Sequence, residues 1–165
     1  MKKGIKTAFL IVLALLAERL YSRTEVIAAE AENQIKVVDG DSLEIKGKRI
    51  RLAGIDSPEY RQHCYEKSGQ KYACGLKARD YMQKLISAGN VKCVEKGIDR
   101  YKRSLSVCYA GEKDLNREMV RAGWAVAYRD DDNAYRAAEK YARKHHKGVW
   151  QGKFMRPELY RFLNK

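Results

Sequence analysis

The chain has 165 residues, room for one domain with a tail; its 45% hydrophobic and 33% charged content, with 12 Gly and 2 Pro, excludes a collagen-like chain, a low-complexity chain and a polytopic membrane protein. Lys and Arg number 34 against 21 Asp and Glu, a net charge of +13. An excess of that size favours a polyanionic partner, nucleic acid or an anionic membrane surface; the competing reading is a soluble basic protein with no such partner.

At the N-terminus, Lys2, Lys3 and Lys6 precede an unbroken apolar run from Ala8 to Ala17. The run is shorter than the roughly 20 residues of a spanning helix and reads as the apolar region of a secretory signal. Ala29-Glu30-Ala31 has the small-x-small form of a cleavage site but lies far from Ala17, so residues 1–31 are a signal peptide or, uncleaved, an N-terminal anchor. Losing them removes five basic and three acidic residues and leaves +11, so the basic character belongs to the domain at 32–165.

Ile35 and Val37 alternate in a short β-prone stretch, and Asp39-Gly40-Asp41-Ser42 is a turn signal. Leu43 and Ile45, then Ile50 and Leu52 across a tight turn at Gly47-Lys48, predict a β-hairpin that ends at Asp56-Ser57-Pro58-Glu59. Residues 60–73 are polar and aromatic without a period and read as a loop. From Cys74 to Ser87 the pattern is helical, with Leu76, Met82, Leu85 and Ile86 on one face and Gly89 as a stop. Asn90–Lys96 and Ser104–Ala110 are the arms of a second hairpin with its tip near Arg100-Tyr101. Asp114 caps a short helix over Leu115–Ala122, closed by Gly123. A third helix covers Asn133–Lys147, between Asp130-Asp131-Asp132 and Gly148, and residues 151–165 form a basic, aromatic tail. Hairpins interleaved with three helices indicate an α+β domain, in which a small, partly closed barrel hides the sheet edges.

Export permits disulfides, and four cysteines allow three pairings. The favoured set is Cys64–Cys74 with Cys93–Cys108. The second pair is equidistant from the hairpin tip and would face itself across the ladder. A four-cysteine zinc site competes poorly, because the chain has no Cys-x-x-Cys spacing.

The chemistry concentrates between Asp39 and Glu59. Asp41 and Asp56 sit at opposite ends of one hairpin, whose ends can converge. Two carboxylates and a backbone carbonyl make a hard, all-oxygen pocket suited to Ca2+ or Mg2+. The competing reading takes both aspartates as ordinary turn residues.

The strings Val38-Asp39-Gly40-Asp41-Ser42 and Arg51-Leu52-Ala53-Gly54-Ile55-Asp56-Ser57-Pro58-Glu59 resemble the staphylococcal thermonuclease family. Asp99-Arg100-Tyr101-Lys102-Arg103-Ser104-Leu105 looks like that family's D-x-Y-G-R segment. The resemblance continues through Leu115-Asn116-Arg117-Glu118-Met119-Val120-Arg121-Ala122-Gly123 to Gly148-Val149-Trp150 and the tail with Phe154 and Pro157, spanning residues 33–165. It implies an OB-fold, a five-stranded β-barrel with three α-helices, and hydrolysis of phosphodiesters in DNA and RNA with Ca2+. It further implies Asp41 and Asp56 as side-chain calcium ligands, Ser57 as a backbone-carbonyl ligand, and Arg51, Glu59 and Arg103 as catalytic. Arg100, Tyr101 and Tyr128 would bind substrate. Asp39 would shape the metal pocket without touching the ion.

Physical chemistry supports those roles independently of the resemblance. In-line attack on a phosphodiester builds negative charge on the equatorial oxygens, and a cation with two guanidiniums stabilises it. Arg suits the task because its planar fork binds two oxygens and keeps its proton. Glu59 is placed either to accept a proton from water or to orient that water. Three departures from the family pattern stand out. Lys102 replaces the Gly before the catalytic Arg, in a turn where positive φ would strain it. Ser42 and Ser57 replace Thr, and the segment after Gly123 is a residue short ahead of Tyr128. His145 and His146 answer the dipole at the end of the third helix, and Trp124 and Trp150 belong to the core.

These readings predict an exported, monomeric, Ca2+-dependent nuclease acting on DNA and RNA, with no obligate protein partner. The alternative is a noncatalytic OB module that binds nucleic acid through charge. Such a module is expected to have lost some of Arg51, Glu59 and Arg103, and all three are present. A third reading is a basic domain seated on anionic envelope polymers.

Overall fold

Alternating apolar residues build the first strands of the computed structural model, which describes residues 35–130 and 133–164; the expected signal or anchor at 1–31 lies outside them. Strand β1 (Ile35–Asp39) buries Val37, and β2 (Ser42–Ile45) and β3 (Lys48–Leu52) bury Leu43, Ile50 and Leu52. The β2–β3 turn is Lys46-Gly47, one residue earlier than expected, with φ of 51° and 76° and Ile45 opposite Lys48. A two-residue hairpin loop whose twist matches its strands needs both residues left-handed, and glycine at the second position meets that need without strain. The register sets Ser42 opposite Arg51. Strand β4 (Ile55–Asp56) follows.

Residues 60–73 are not a plain loop. They contain β5 (Cys64–Glu66) and β6 (Lys71–Tyr72), paired Cys64 to Tyr72 and Tyr65 to Lys71. Strands this short carry no detectable period; what orders them is a disulfide from Cys64 to Cys74 and a third strand from far down the chain.

Helix α1 (Cys74–Ile86) buries Ala78, Met82, Leu85 and Ile86. Leu76, expected on that face, is exposed, because the buried stripe runs through Gly75 and Ala78 instead. Strands β7 (Val91–Ile98) and β8 (Ser104–Ala110) form the second hairpin, with a bulge between Glu95 and Gly97. Cys93 lies directly opposite Cys108, their Cα atoms 4.0 Å apart, and the two are disulfide-bonded. Strand β8 runs parallel to β3, with Ile50 beside Ser104 and Leu52 beside Ser106. The sheet order is β1-β2-β3-β8-β7, with β9 (Lys113–Asp114) on β8. This is the OB-fold path of five strands, and the sheet curls without closing.

Asp114 caps α2 (Leu115–Arg121), its side chain accepting from the Arg117 N–H at 2.9 Å. Strand β10 (Val126–Ala127) pairs with β4, Val126 opposite Asp56. Helix α3 (Arg136–Lys144) starts later than expected, because Asp130 takes the Ala134 and Tyr135 N–H groups at 2.9 and 2.8 Å and shapes the lead-in. A 3-10 turn at Gly148–Gln151 leads into β11 (Gly152–Lys153), the third strand beside β5. The tail adds a helix beyond the three expected, α4 (Pro157–Leu163), with Pro at its start and Glu158 in its first turn.

Leu43, Leu52, Ile55, Met82, Leu115, Met119 and Val126 are fully buried at the centre. A smaller cluster of Cys64, Cys74 and Val149 is packed by Tyr72, Trp124, Trp150 and Phe154, which places both tryptophans in packing roles. No described helix is long and apolar enough to cross a membrane.

Candidate active site

The Asp39–Ser42 turn and the start of the Ser57 turn approach so closely that a Cβ at Gly40 would overlap the Ser57 hydroxyl. Glycine there lets the two ends of the hairpin meet. Asp41 Oδ2 accepts the Ser57 N–H at 2.6 Å, Asp41 Oδ1 accepts the Ser42 hydroxyl at 3.2 Å, and Asp39 Oδ1 accepts the Asp41 N–H at 3.1 Å. Ser57 donates its own hydroxyl to the Trp124 carbonyl at 2.8 Å. Arg51 projects from β3 between the two aspartates. Its Nη1 lies 2.7 Å from Asp41 Oδ2 and its Nη2 2.9 Å from Asp56 Oδ1. One guanidinium therefore bridges the carboxylates that the spacing argument brought together.

A second guanidinium arrives from α4. Arg161 Nη1 donates to Asp56 Oδ1 and to Glu59 Oε1, both at 2.8 Å, and its Nη2 donates to Asp56 Oδ2 at 3.0 Å. Glu59 stands at the rim, and the turn that carries it is held by Gln62, which is fully buried. Gln62 Oε1 accepts the Glu59 N–H at 3.2 Å, and its Nε2 donates to the Met155 carbonyl at 2.7 Å. Gly75, whose Cβ would collide with the Glu59 carbonyl, seats α1 directly against this turn.

The electrostatics follow from burial. Asp41 is 4% exposed and Asp56 0%. Burial pushes Asp41 up to about 7, against the pull of Arg51 and the Ser57 N–H, with Asp39 adding to the rise. Burial also raises Asp56, opposed first by its hydrogen bond from Arg161. Two carboxylates out of water need cationic partners, and here two arginines supply them.

The hairpin tip is a separate assembly. Asp99 Oδ1 accepts the N–H groups of Tyr101 and Arg103 at 2.8 and 2.9 Å, and Asp99 Oδ2 holds Arg103 Nε at 2.8 Å. The guanidiniums of Arg100 and Arg103 lie 4.8 and 5.5 Å from the Tyr101 ring centroid. Lys102 sits at φ 61°, the left-handed conformation expected where the family pattern has Gly, at a cost of about 1–2 kcal/mol. Arg103 immediately precedes β8, whose first residue, Ser104, lies beside Ile50 of β3. Tyr128 donates its hydroxyl to Glu158 Oε1 at 3.0 Å, which ties this residue to α4. His145 caps α3 and packs against Tyr141 at 4.4 Å, in keeping with a helix-end role.

Thus Asp41, Asp56, Ser57, Arg51 and Glu59 converge, whereas Arg100, Tyr101 and Arg103 form their own group around Asp99, and Tyr128 faces α4. Sequence reasoning missed Arg161 and Gln62. Gln62 lies in a segment read as loop, and Arg161 in one read as tail, so neither carried a positional signal.

A family model described as Staphylococcal nuclease homologue matches residues 49–152. The chain is 34% identical over 142 residues to the succinoglycan biosynthesis protein ExoI of Rhizobium meliloti, covering 84% of this chain and 74% of that protein. It is 35% identical over 133 residues to a micrococcal nuclease of Shigella flexneri, covering 70% of this chain and 71% of that one. An uncharacterized endonuclease of Haemophilus influenzae is 35% identical over 123 residues, covering 70% and 64%. With the OB-fold path, the convergent aspartates and a match over more than half its length, the chain belongs to the staphylococcal nuclease family.

Proposed function

We propose that the chain is an exported, monomeric nuclease that hydrolyses phosphodiester bonds in DNA and RNA with Ca2+. The observation that carries this reading is the pair of buried carboxylates, Asp41 and Asp56, sharing Arg51 beside Glu59. Nuclease-named relatives support it, as does a charge of +13 that draws a polyanion. The two disulfides support an oxidising compartment.

The residues present fit a hard divalent cation. The donors are carboxylate oxygens, the hard ligands that such an ion takes. Among the described residues no group of three or more His, Cys, Asp or Glu is placed for a metal, so backbone oxygen and water would complete the shell around Asp41, Asp56 and the Ser57 carbonyl. When bound, Ca2+ would supply charge stabilisation at the phosphate.

The chain's own groups do the rest. Arg51, which bridges the two carboxylates, would turn part of its fork to the phosphate oxygens that gain charge once a cation takes over the carboxylates. Glu59 accepts a proton from the attacking water or orients it by a hydrogen bond. Arg103 adds a second guanidinium from the tip, and Arg100, Tyr101 and Tyr128 hold the substrate strand. Digestion of plasmid, single-stranded DNA and RNA in Ca2+ or EDTA tests the reading. Glu59→Ala is the catalytic control, and Asp41→Ala should weaken Ca2+ binding far more than DNA binding.

One observation favours a noncatalytic OB module: Arg103 is engaged by Asp99 and Glu59 by Arg161. Binding of these substrates with no cleavage in Ca2+ would establish the module in place of the enzyme.

A further inference from the structure

Helix α4 delivers a guanidinium onto the proposed cation ligand, where it competes with an ion for the same carboxylate. Asp56 has a side chain 1% exposed, and both of its oxygens are taken. Arg51 Nη2 and Arg161 Nη1 meet Oδ1 at 2.9 and 2.8 Å, while Arg161 Nη2 meets Oδ2 at 3.0 Å. A calcium ion sits about 2.3–2.6 Å from each carboxylate oxygen it binds, and of the roughly four lone-pair positions on Asp56 the Arg161 fork takes one on each oxygen while Arg51 takes another on Oδ1. Ion and guanidinium would then stand about 4 Å apart beside a buried carboxylate, where like charges repel.

The charges point the same way. With every group ionised, Asp39, Asp41, Asp56 and Glu59 against Arg51 and Arg161 sum to −2. Without Arg161 the sum is −3, a stronger attraction for a divalent ion.

The mounting of α4 also suits release. Pro157 is buried and anchors the start of the helix, but Leu159 and Leu163 are 48% and 58% exposed. Its polar ties among the described residues include the Tyr128 hydroxyl to Glu158 at 3.0 Å and two contacts at 3.4 Å, Tyr160 to the Arg61 carbonyl and Arg156 to the Ala127 carbonyl. A short segment whose leucines stand about half exposed opens at lower cost than a core helix.

We propose that Arg161 is a displaceable counter-ion. It neutralises Asp56 and Glu59 in the cation-free protein, and a divalent cation must drive it, with the outer turn of α4, off Asp56. This rests on the reading that Asp41 and Asp56 hold the cation.

The test uses the full chain without nucleic acid. Ca2+ is titrated calorimetrically into the wild type, Arg161→Gln, Arg161→Lys and Arg156→Gln, and hydrogen exchange over residues 157–163 is followed with and without Ca2+. Arg161→Gln should bind Ca2+ about tenfold more tightly, the factor expected when a charge-assisted competitor is removed. Arg161→Lys keeps the charge but loses the fork and should fall between, which covers the case in which the glutamine variant does not fold. Arg156→Gln removes a nearby positive charge and should change affinity by no more than about twofold. In the wild type, Ca2+ should speed exchange over 157–163. Equal or weaker Ca2+ binding by Arg161→Gln, or Ca2+-induced protection of α4, overturns the displacement while leaving the cation site standing. Absence of Ca2+ binding by every variant overturns the cation reading, and the displacement with it.

Discussion

The carboxylate cluster draws its members from the β1–β2 turn, β3, β4, the turn after β4 and α4, whereas the hairpin tip at 99–103 is stitched by one aspartate to its immediate neighbours. In the cluster Asp41 and Asp56 are buried and Arg51 is 12% exposed; at the tip Tyr101 is 64% exposed. An arginine in the first setting is both a structural counter-ion and a chemical group. One in the second can act on substrate while contributing little to folding. The contrast separates two effects that a single activity assay would merge.

Arg51→Ala is the largest expected break. It strips the shared partner from two buried carboxylates, and losing one partner of a buried pair costs about 3–5 kcal/mol. Urea unfolding should register that loss, and phosphodiester cleavage should fall by at least ~10²-fold. A variant as stable as the wild type would show that the cluster does not depend on its arginine.

The disulfides sharpen the comparison next, because one serves each region. Removing either pair should cost roughly 3 kcal/mol. Cys64–Cys74 flanks Gln62, whose carbonyl takes the Gly75 N–H at 3.2 Å and whose side chain holds Glu59. Replacing both of these cysteines by serine should therefore lower both melting temperature and kcat. The same change at Cys93 and Cys108, in the arms of the β7–β8 hairpin, should lower the melting temperature alone. Equal kcat losses from the two would count against Gln62 as the positioning residue for Glu59.

What could be read in advance divides along the same line. Alternation of Leu43, Ile45, Ile50 and Leu52 forces a hairpin, a hairpin brings its ends together, and Asp41 and Asp56 sit at those ends, so their convergence follows from local pattern. Symmetric placement of Cys93 and Cys108 about a tip follows in the same way. The direction in which Arg103 points does not, because Asp99 competes for it and competition is settled by geometry after folding. Arg161 lies still further from local pattern: it reaches Asp56 across 105 positions, from a seven-residue helix with too little length to display a period. The strands at 64–66 and 71–72 were invisible for the related reason that their order comes from a disulfide and from β11.

At the tip the expected effects are smaller and purely chemical. The Arg103–Asp99 pair is partly exposed, so Arg103→Ala should change stability by no more than about 1 kcal/mol while activity falls by ~10²–10³-fold. Unchanged activity would place Arg103 outside the reaction. Asp99 gives the finest probe. Burial alone would raise its pKa, but the N–H and guanidinium of Arg103 and the Tyr101 N–H outweigh it and hold the carboxyl below its ordinary 3.8. A carboxyl depressed on folding contributes stability that is complete above its unfolded value and fades as pH falls through the folded one. The tip should therefore keep its geometry above pH 3.8 and lose it progressively in stronger acid, which the Tyr101 and Arg103 amide shifts would follow in an NMR titration. Asp99→Asn preserves an oxygen for those two N–H groups but removes the charge that titrates. In that variant the acid-dependent shifts should vanish while the turn persists; the same titration in both proteins would mean that Asp99 does not hold the tip.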